Sequence, residues 1–159
     1  MKVANASANA AGQKKEMHPR PKLALDSVFK KTRTGLEFYQ ERPGDGPKIE
    51  EGAKVKVHYE GWLAEDYKLF DSSRKKRKPF EFEFGRGDVI AGWEEALKDI
   101  REGTKLQIKI PAKLAYGAQG IPQLDIPPNA DLIFKVEVLK VEQPETAEDR
   151  RSSGFSRIA

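Results

Sequence analysis

The chain has 159 residues, enough for one domain with a hydrophobic core, and its lack of cysteine excludes disulfides, a thiolate nucleophile and cysteine-ligated metal. Its formal net charge of +4 is uneven, because residues 1–34 carry +6, residues 35–142 carry −2 and residues 143–159 are neutral. The mildly acidic central part disfavours a domain that binds nucleic acid over a broad face.

Residues 1–34 are basic and contain few large apolar side chains before Leu23, which predicts a mostly disordered leader. Leu23, Leu25, Val28 and Phe29 are the candidates for a short arm that packs on the domain. The leader lacks the apolar core of a secretory signal, and no apolar run approaches the ~20 residues of a membrane span. We therefore expect a soluble, cytoplasmic protein, with nuclear and organellar locations left open.

From residue 35, alternation of apolar and polar residues predicts three strands before residue 85, with a turn at residues 43–47. The predicted inward positions are Leu36 and Phe38 in the first strand, Val55, Val57, Tyr59 and Leu63 in the second, and Phe80, Phe82 and Phe84 in the third. His58 and Trp62 fall on the outward parity of the second strand.

The basic run at residues 74–78 allows two interpretations. It is either a nuclear address or phosphate-contacting loop, or a solvated bulge between edge strands where lysines discourage sheet pairing. We favour the second interpretation.

Residues 87–103 contain the one convincing amphipathic helix. Its apolar stripe has helical spacing and consists of Trp93, Ala96, Leu97 and Ile100. Asp88 is predicted near its N-terminal cap, and Gly103 is predicted to end it in a left-handed conformation.

After this helix the pattern predicts strands at residues 105–110 and 132–141, joined by a long irregular loop at residues 111–130. Residues 143–159 are polar and predict a disordered tail. A single helix among strands gives an α+β domain over residues 35–142.

The chemistry that these elements offer is mainly aromatic. A small domain with one thin helix cannot bury every inward ring, which predicts an apolar pocket with Asp71 beside it. No nucleophilic or metal site is assembled, and His18 and His58 are expected at the surface.

The chain resembles the FKBP-type peptidyl-prolyl cis-trans isomerases, immunophilins that bind macrolide immunosuppressants. The resemblance spans residues 35–142 and rests on PGDG at 43–46, VHYEGWL at 57–63, FDSSRKKRKPFEFEFG at 70–85, GDVIAGWEEAL at 87–97, LAYGAQG at 114–120 and IPPNADLIFKVEVL at 126–139. It implies a curved antiparallel sheet of five to six strands wrapped around one short helix.

The resemblance also implies site residues. It suggests catalytic roles for Tyr59, Asp71, Tyr116 and Phe134, and ligand binding by Phe70, Phe80, Val89, Ile90, Trp93, Ile121 and Ile126. In that family the tryptophan forms the floor of the pocket. The backbone N–H at the position of Ile90 binds one substrate carbonyl, and the hydroxyl at the position of Tyr116 binds another. The aspartate at the position of Asp71 lies beside the imide bond as it twists.

Two positions depart from the family pattern. Lys76 stands where the family often has an arginine that pairs with the pocket aspartate, and Ile121 replaces a frequent aromatic residue or histidine. The segment at residues 123–125 is one residue longer than in the shortest members. These departures bear on substrate preference and drug affinity more than on activity.

The resemblance implies an isomerase and folding catalyst that needs no cofactor or metal. It acts on proline-containing protein segments, binds rapamycin-like macrolides in the same pocket and makes no membrane contact. We expect a monomer. The alternatives are a non-catalytic module that recruits a protein or nucleic-acid partner through the leader and residues 74–78, and a drug-binding scaffold with a residual pocket.

Overall fold

A computed structural model describes residues 17–144, which form an open antiparallel sheet of seven strands with one α-helix. The strands are β1 (Lys30–Lys31), β2 (Glu37–Arg42), β3 (Lys54–Leu63), β4 (Leu69–Ser72), β5 (Phe80–Glu83), β6 (Lys105–Ile110) and β7 (Leu132–Glu142), and the helix is α1 (Ala91–Leu97). The α+β class is confirmed, with one strand more than predicted. Residues 1–16 and 145–159, which include most of the predicted tail, lie outside the described residues.

The strand order is β1-β2-β6-β7-β3-β4, and β5 pairs with β3 beside this path. The central pair is β3 with β7, in register from Lys54 opposite Glu142 to Leu63 opposite Leu132, with one irregularity. The inward positions Val55, Val57, Phe134, Val136 and Val138 are buried as predicted, because they share one core with α1. At one end of the pair, Trp62 and Ile133 of the opposite parity are buried as well.

Helix α1 packs unusually close to β6. A Cβ atom built on Gly92 would lie 2.5 Å from Cγ2 of Ile110, so only glycine permits this approach. The close packing places Trp93 and Leu97 within the same buried cluster as the sheet residues.

The helix is shorter than predicted, because it ends at Leu97 instead of continuing to Gly103. Asp99 has a left-handed φ of 61°, and its backbone N–H donates to the carbonyl of Ile49. The backbone N–H of Ile49 in turn donates to the carbonyl of Ile100. Pairing with this earlier segment takes the chain out of the helix. Asp88 is no cap either, since its carboxylate accepts the backbone N–H of Glu83.

Residues 17–34 of the predicted leader reach the domain as a short arm, although Leu25 and Val28 of that arm are exposed. Strand β1 pairs with β2. The ring centroids of Phe29 and Tyr39 lie 6.0 Å apart, and the Lys109 ammonium lies 4.3 Å from the ring centroid of Phe29. The backbone N–H of Ala24 donates to the side chain of Gln107, which is buried although its parity is outward. Tertiary contacts thus order a polar segment that lacks a strong local pattern.

Trp62, predicted to face outward, is also buried. A register shift between Gly61 and Trp62 interrupts the pairing of β3 with β4 at this point. The backbone N–H of His18 donates to the carbonyl of Asp66 just beyond the strand, so the leader crosses this end of the sheet.

The predicted long loop at residues 111–130 is stabilised by two 3-10 turns, Ala112–Leu114 and Pro122–Leu124. Ile121 and Ile126 exchange backbone hydrogen bonds of 2.9 and 3.0 Å between them. The loop therefore has a defined course and presents Tyr116 next to the core.

Candidate active site

The floor of the candidate site is Trp93, which is only 4% exposed. Four rings surround its indole at steep angles, with centroids 5.2 Å away for Tyr59, 5.4 Å for Phe134, 5.9 Å for Phe82 and 6.2 Å for Phe80. Edge-to-face contacts of this kind favour a fixed arrangement of the rings. The indole Nε1–H is buried and has no hydrogen-bond partner among the described residues, so it is a donor without an acceptor.

A carboxylate lies at the side of this aromatic set. Oδ2 of Asp71 accepts a hydrogen bond of 2.5 Å from the Tyr59 hydroxyl, while Oδ1 lies 2.8 Å from Nζ of Lys76. The Lys76 ammonium thus meets one oxygen as a point charge, as the replacement of arginine predicts. The carboxylate is held from both sides within a largely apolar wall.

The two tyrosines of the site keep their protons. Burial, the hydrogen bond to Asp71 and its negative charge all raise the pKa of Tyr59, and burial with the charge of Asp71 also raises the pKa of Tyr116. Both hydroxyls therefore remain protonated at neutral pH. That of Tyr116 has no hydrogen-bond partner in residues 17–144, so it is free to donate to a ligand.

Ser73 fixes the backbone of Tyr59 from the next strand segment. Its Oγ accepts the Tyr59 N–H at 2.7 Å and lies 3.2 Å from the Tyr59 carbonyl, which also accepts the Ser73 N–H at 3.0 Å. Nδ1 of His58 lies 2.8 Å from the same Oγ. His58 is half-buried and not simply at the surface. The sequence did not predict its contact with Ser73, because that partner is 15 residues away along the chain.

Trp93, Tyr59, Asp71 and Tyr116 line an open cavity of about 550 Å³, here called the aromatic cavity. Nine of the eleven predicted site residues line it, namely Tyr59, Phe70, Asp71, Phe80, Val89, Ile90, Trp93, Tyr116 and Phe134. The sequence analysis did not place Gly87 and Asp88 in the lining, although they directly precede Val89. Lys76, singled out as the partner of Asp71, also lines it.

The other two predicted residues, Ile121 and Ile126, do not line the aromatic cavity. Ile126 is fully buried in the core, and Ile121 is partly buried against it. Their mutual backbone pairing closes the loop after Tyr116 and commits their side chains to packing. Their ligand-binding role remains a prediction from the resemblance.

Gly61 sets the positions of two walls of the cavity. A Cβ atom there would lie 2.7 Å from ring atoms of both Phe70 and Phe134, whose rings meet edge to face at 5.6 Å. Because rings cannot yield like the ends of flexible side chains, we expect Gly61→Ala to lower the free energy of unfolding by about 1–3 kcal/mol. Urea denaturation measures this change.

The added methyl group is expected to act through crowding. The double variant Gly61→Ala/Phe70→Leu, which shortens the crowded ring, should recover part of the lost stability. A Gly61→Ala protein as stable as the wild type would contradict the proposed tight packing.

No group of three or more His, Asp or Glu side chains within residues 17–144 could hold a metal ion. No helix in the same part of the chain has the length and apolar character needed to cross a membrane.

Comparison with known proteins supplies the family context. The sequence profile for the FKBP-type peptidyl-prolyl cis-trans isomerase family matches residues 46–139. The chain is 44% identical over 109 residues to the Drosophila melanogaster peptidyl-prolyl cis-trans isomerase Fkbp12, covering 68% of this chain and 99% of the relative. It is 43% identical over 107 residues to the FK506-binding protein of Neisseria meningitidis serogroup B, covering 67% and 96%.

Solved structures agree with the fold. The crystal structure of FkpA from Escherichia coli superposes with a TM-score of 0.67 at 39% sequence identity. The match covers 74% of this chain and 53% of FkpA, so the chain spans about half the length of that protein.

Proposed function

The chain belongs to the family of FKBP-type peptidyl-prolyl cis-trans isomerases, and we propose that the aromatic cavity is where it catalyses this isomerisation. Rotation about an Xaa-Pro bond has a barrier of about 20 kcal/mol and takes tens to hundreds of seconds unaided. No covalent bond breaks, so the enzyme needs only to bind the twisted imide more tightly than the planar one.

The apolar walls supply one part of this difference. A planar imide has charge separation from resonance, and twisting the bond removes it. A water-poor cavity of aromatic rings therefore disfavours the planar form relative to the twisted one. Trp93, Phe80 and Phe134 are the rings that we assign to this role, with Trp93 under the proline ring.

Free hydrogen-bond donors at the cavity are the observation that carries the proposal. Ile90 and Tyr116 both line the cavity, and neither the backbone N–H of Ile90 nor the hydroxyl of Tyr116 has a hydrogen-bond partner within residues 17–144. Half-buried donors without acceptors are costly unless a ligand or water pairs with them. We assign them to two carbonyl groups of an extended substrate, which would fix the peptide on both sides of the bond.

Asp71 provides the third element. Its carboxylate is fixed by Tyr59 and Lys76 at the edge of the cavity. A negative charge beside the imide raises the energy of the planar form, whose carbonyl oxygen is partly negative, more than that of the twisted form. Asp71 is therefore assigned to electrostatic catalysis, and Tyr59 to holding it.

The same cavity is proposed to bind macrolides. One relative bears the name FK506-binding protein, and the cavity presents an aromatic floor with a few fixed polar groups, as expected for a site that takes an apolar ligand. A macrolide that fills the cavity would exclude a prolyl segment, so binding and inhibition should occur together.

Cis-trans exchange in a proline peptide, measured by NMR with catalytic amounts of the purified chain, tests both parts. We expect accelerated exchange that FK506 suppresses. In a Trp62→Phe variant, the remaining tryptophan is Trp93, and its fluorescence should change as FK506 binds. Exchange at the unaided rate would refute catalysis, and undiminished exchange in saturating FK506 would refute the shared site.

A further inference from the structure

A second hollow opens beside the aromatic cavity and is here called the lysine hollow. It has a volume of about 630 Å³ and is lined by Lys56, Tyr59, Ser73, Lys76, Lys78, Pro79, Phe80 and Glu81. Tyr59, Lys76 and Phe80 also line the aromatic cavity. The two hollows therefore adjoin each other.

The charges in the lysine hollow are unbalanced. It has three ammonium groups and one carboxylate, and that carboxylate, on Glu81, lies 3.5 Å from Lys56. Lys76 is engaged by Asp71, whereas Lys78 has no ion-pair partner among the described residues. Lys78 is thus the cation in this hollow that is available to a ligand.

The backbone of Lys78 is fixed next to the hollow. The N–H of Lys78 donates to the carbonyl of Ser73 at 3.2 Å, and Pro79 restricts the chain immediately after it. Ser73 in turn fixes the backbone of Tyr59. Ser73 therefore links the backbone of Lys78 to Tyr59, which lies in the wall that the two hollows share.

We propose that the lysine hollow is a substrate subsite for an acidic or phosphorylated side chain close to the isomerised proline. This inference rests on the proposed function and names the substrate class for the same site. Because the two hollows share three lining residues and an extended peptide advances about 3.4 Å per residue, we expect the charged side chain within roughly three residues of the proline. The solvated basic loop predicted from the sequence thus gains a role in specificity.

A single charged side chain fits this hollow better than a nucleic-acid backbone. The basic run is flanked by carboxylates, with Glu81 in the hollow and Asp71 and Asp88 in the aromatic cavity. Residues 35–142 also have a net charge of −2. A polyanion would face repulsion on either side of the hollow, whereas one carboxylate or phosphate would not.

The test compares proline peptides that differ at one position, with Gln, Glu or phosphoserine placed in turn at each site within three residues of the proline. At low salt we expect at least one position where Glu raises kcat/KM about two- to fivefold over Gln, as for an exposed ion pair. Phosphoserine carries more charge and should give a larger ratio. At high salt the ratio should approach one.

Matched charge removals locate the effect. Lys78→Gln is expected to abolish most of the Glu-to-Gln ratio, whereas Lys75→Gln, in the same loop but outside the lysine hollow, should retain it. Equal kcat/KM for Glu and Gln peptides at every position would overturn the inference. An equal loss of the Glu-to-Gln ratio in both variants would also overturn it, because it would show that the summed positive charge of the loop is responsible and not Lys78.

Nucleic acid is a separate outcome of the test. The probe is a mixed-sequence single-stranded oligonucleotide. If it inhibits turnover of the Glu and Gln peptides equally, and only when Lys78 is present, the hollow would be assigned to nucleic acid and the inference overturned. Turnover of the Gln peptide reports the proposed isomerase function itself. Failure of that function is therefore distinguishable from failure of the subsite.

Discussion

Phe134→Ala is expected to lower kcat/KM for prolyl isomerisation by about 30- to 150-fold. The ring is 3% exposed and contacts Trp93, Tyr59 and Phe70 edge to face or tilted. Its truncation removes a wall of the aromatic cavity and admits water, which forfeits roughly 2–3 kcal/mol of apolar contact with the twisted imide. The peptide exchange assay measures the loss.

Stability must be separated from catalysis in this experiment. Deleting a buried phenylalanine side chain costs about 3–5 kcal/mol of folding free energy, so some of the variant protein will unfold. Phe84→Ala provides the control, because Phe84 is 7% exposed, also belongs to the core and does not line the aromatic cavity. Phe84→Ala should lose similar stability but keep wild-type kcat/KM per folded molecule. Equal kinetic losses in both variants would show that Phe134 acts only through folding.

Asp71→Asn is expected to lower kcat/KM about tenfold with little change in stability. The substitution keeps the shape of the side chain and an oxygen that can accept from Tyr59, but it removes the negative charge beside the imide. Tenfold corresponds to ~1.4 kcal/mol of differential electrostatic stabilisation. The lost ion pair with Lys76, whose side chain is 63% exposed, contributes less than about 1 kcal/mol to folding.

Two controls identify the cause. Asp125→Asn removes a carboxylate from an exposed ion pair with Lys68, and asparagine tolerates the left-handed conformation at that position. It should leave kcat/KM unchanged. Tyr59→Phe keeps the charge but removes the hydroxyl that holds it. A larger loss of kcat/KM in Tyr59→Phe than in Asp71→Asn would indicate that the position of the carboxylate matters more than its charge. Full activity in Asp71→Asn would refute the electrostatic role.

The apolar pattern of the chain was enough to predict the strands that form the core. Period-two alternation in β3 and β7 placed Val57 and Phe134 inward, and both are buried in the core. The family motifs then located most of the aromatic cavity, because they contain the nine predicted residues that line it.

Contacts between distant segments decided the rest, because local residues carry no record of a partner far away in the chain. Pairing with Ile49 ended α1 at Leu97, and pairing with β2 ordered the second half of the leader. The charges at residues 74–78 were visible in the sequence, but only the fold placed Lys78 beside the wall of the aromatic cavity, because β4 and β5 on either side of that loop both pair with β3.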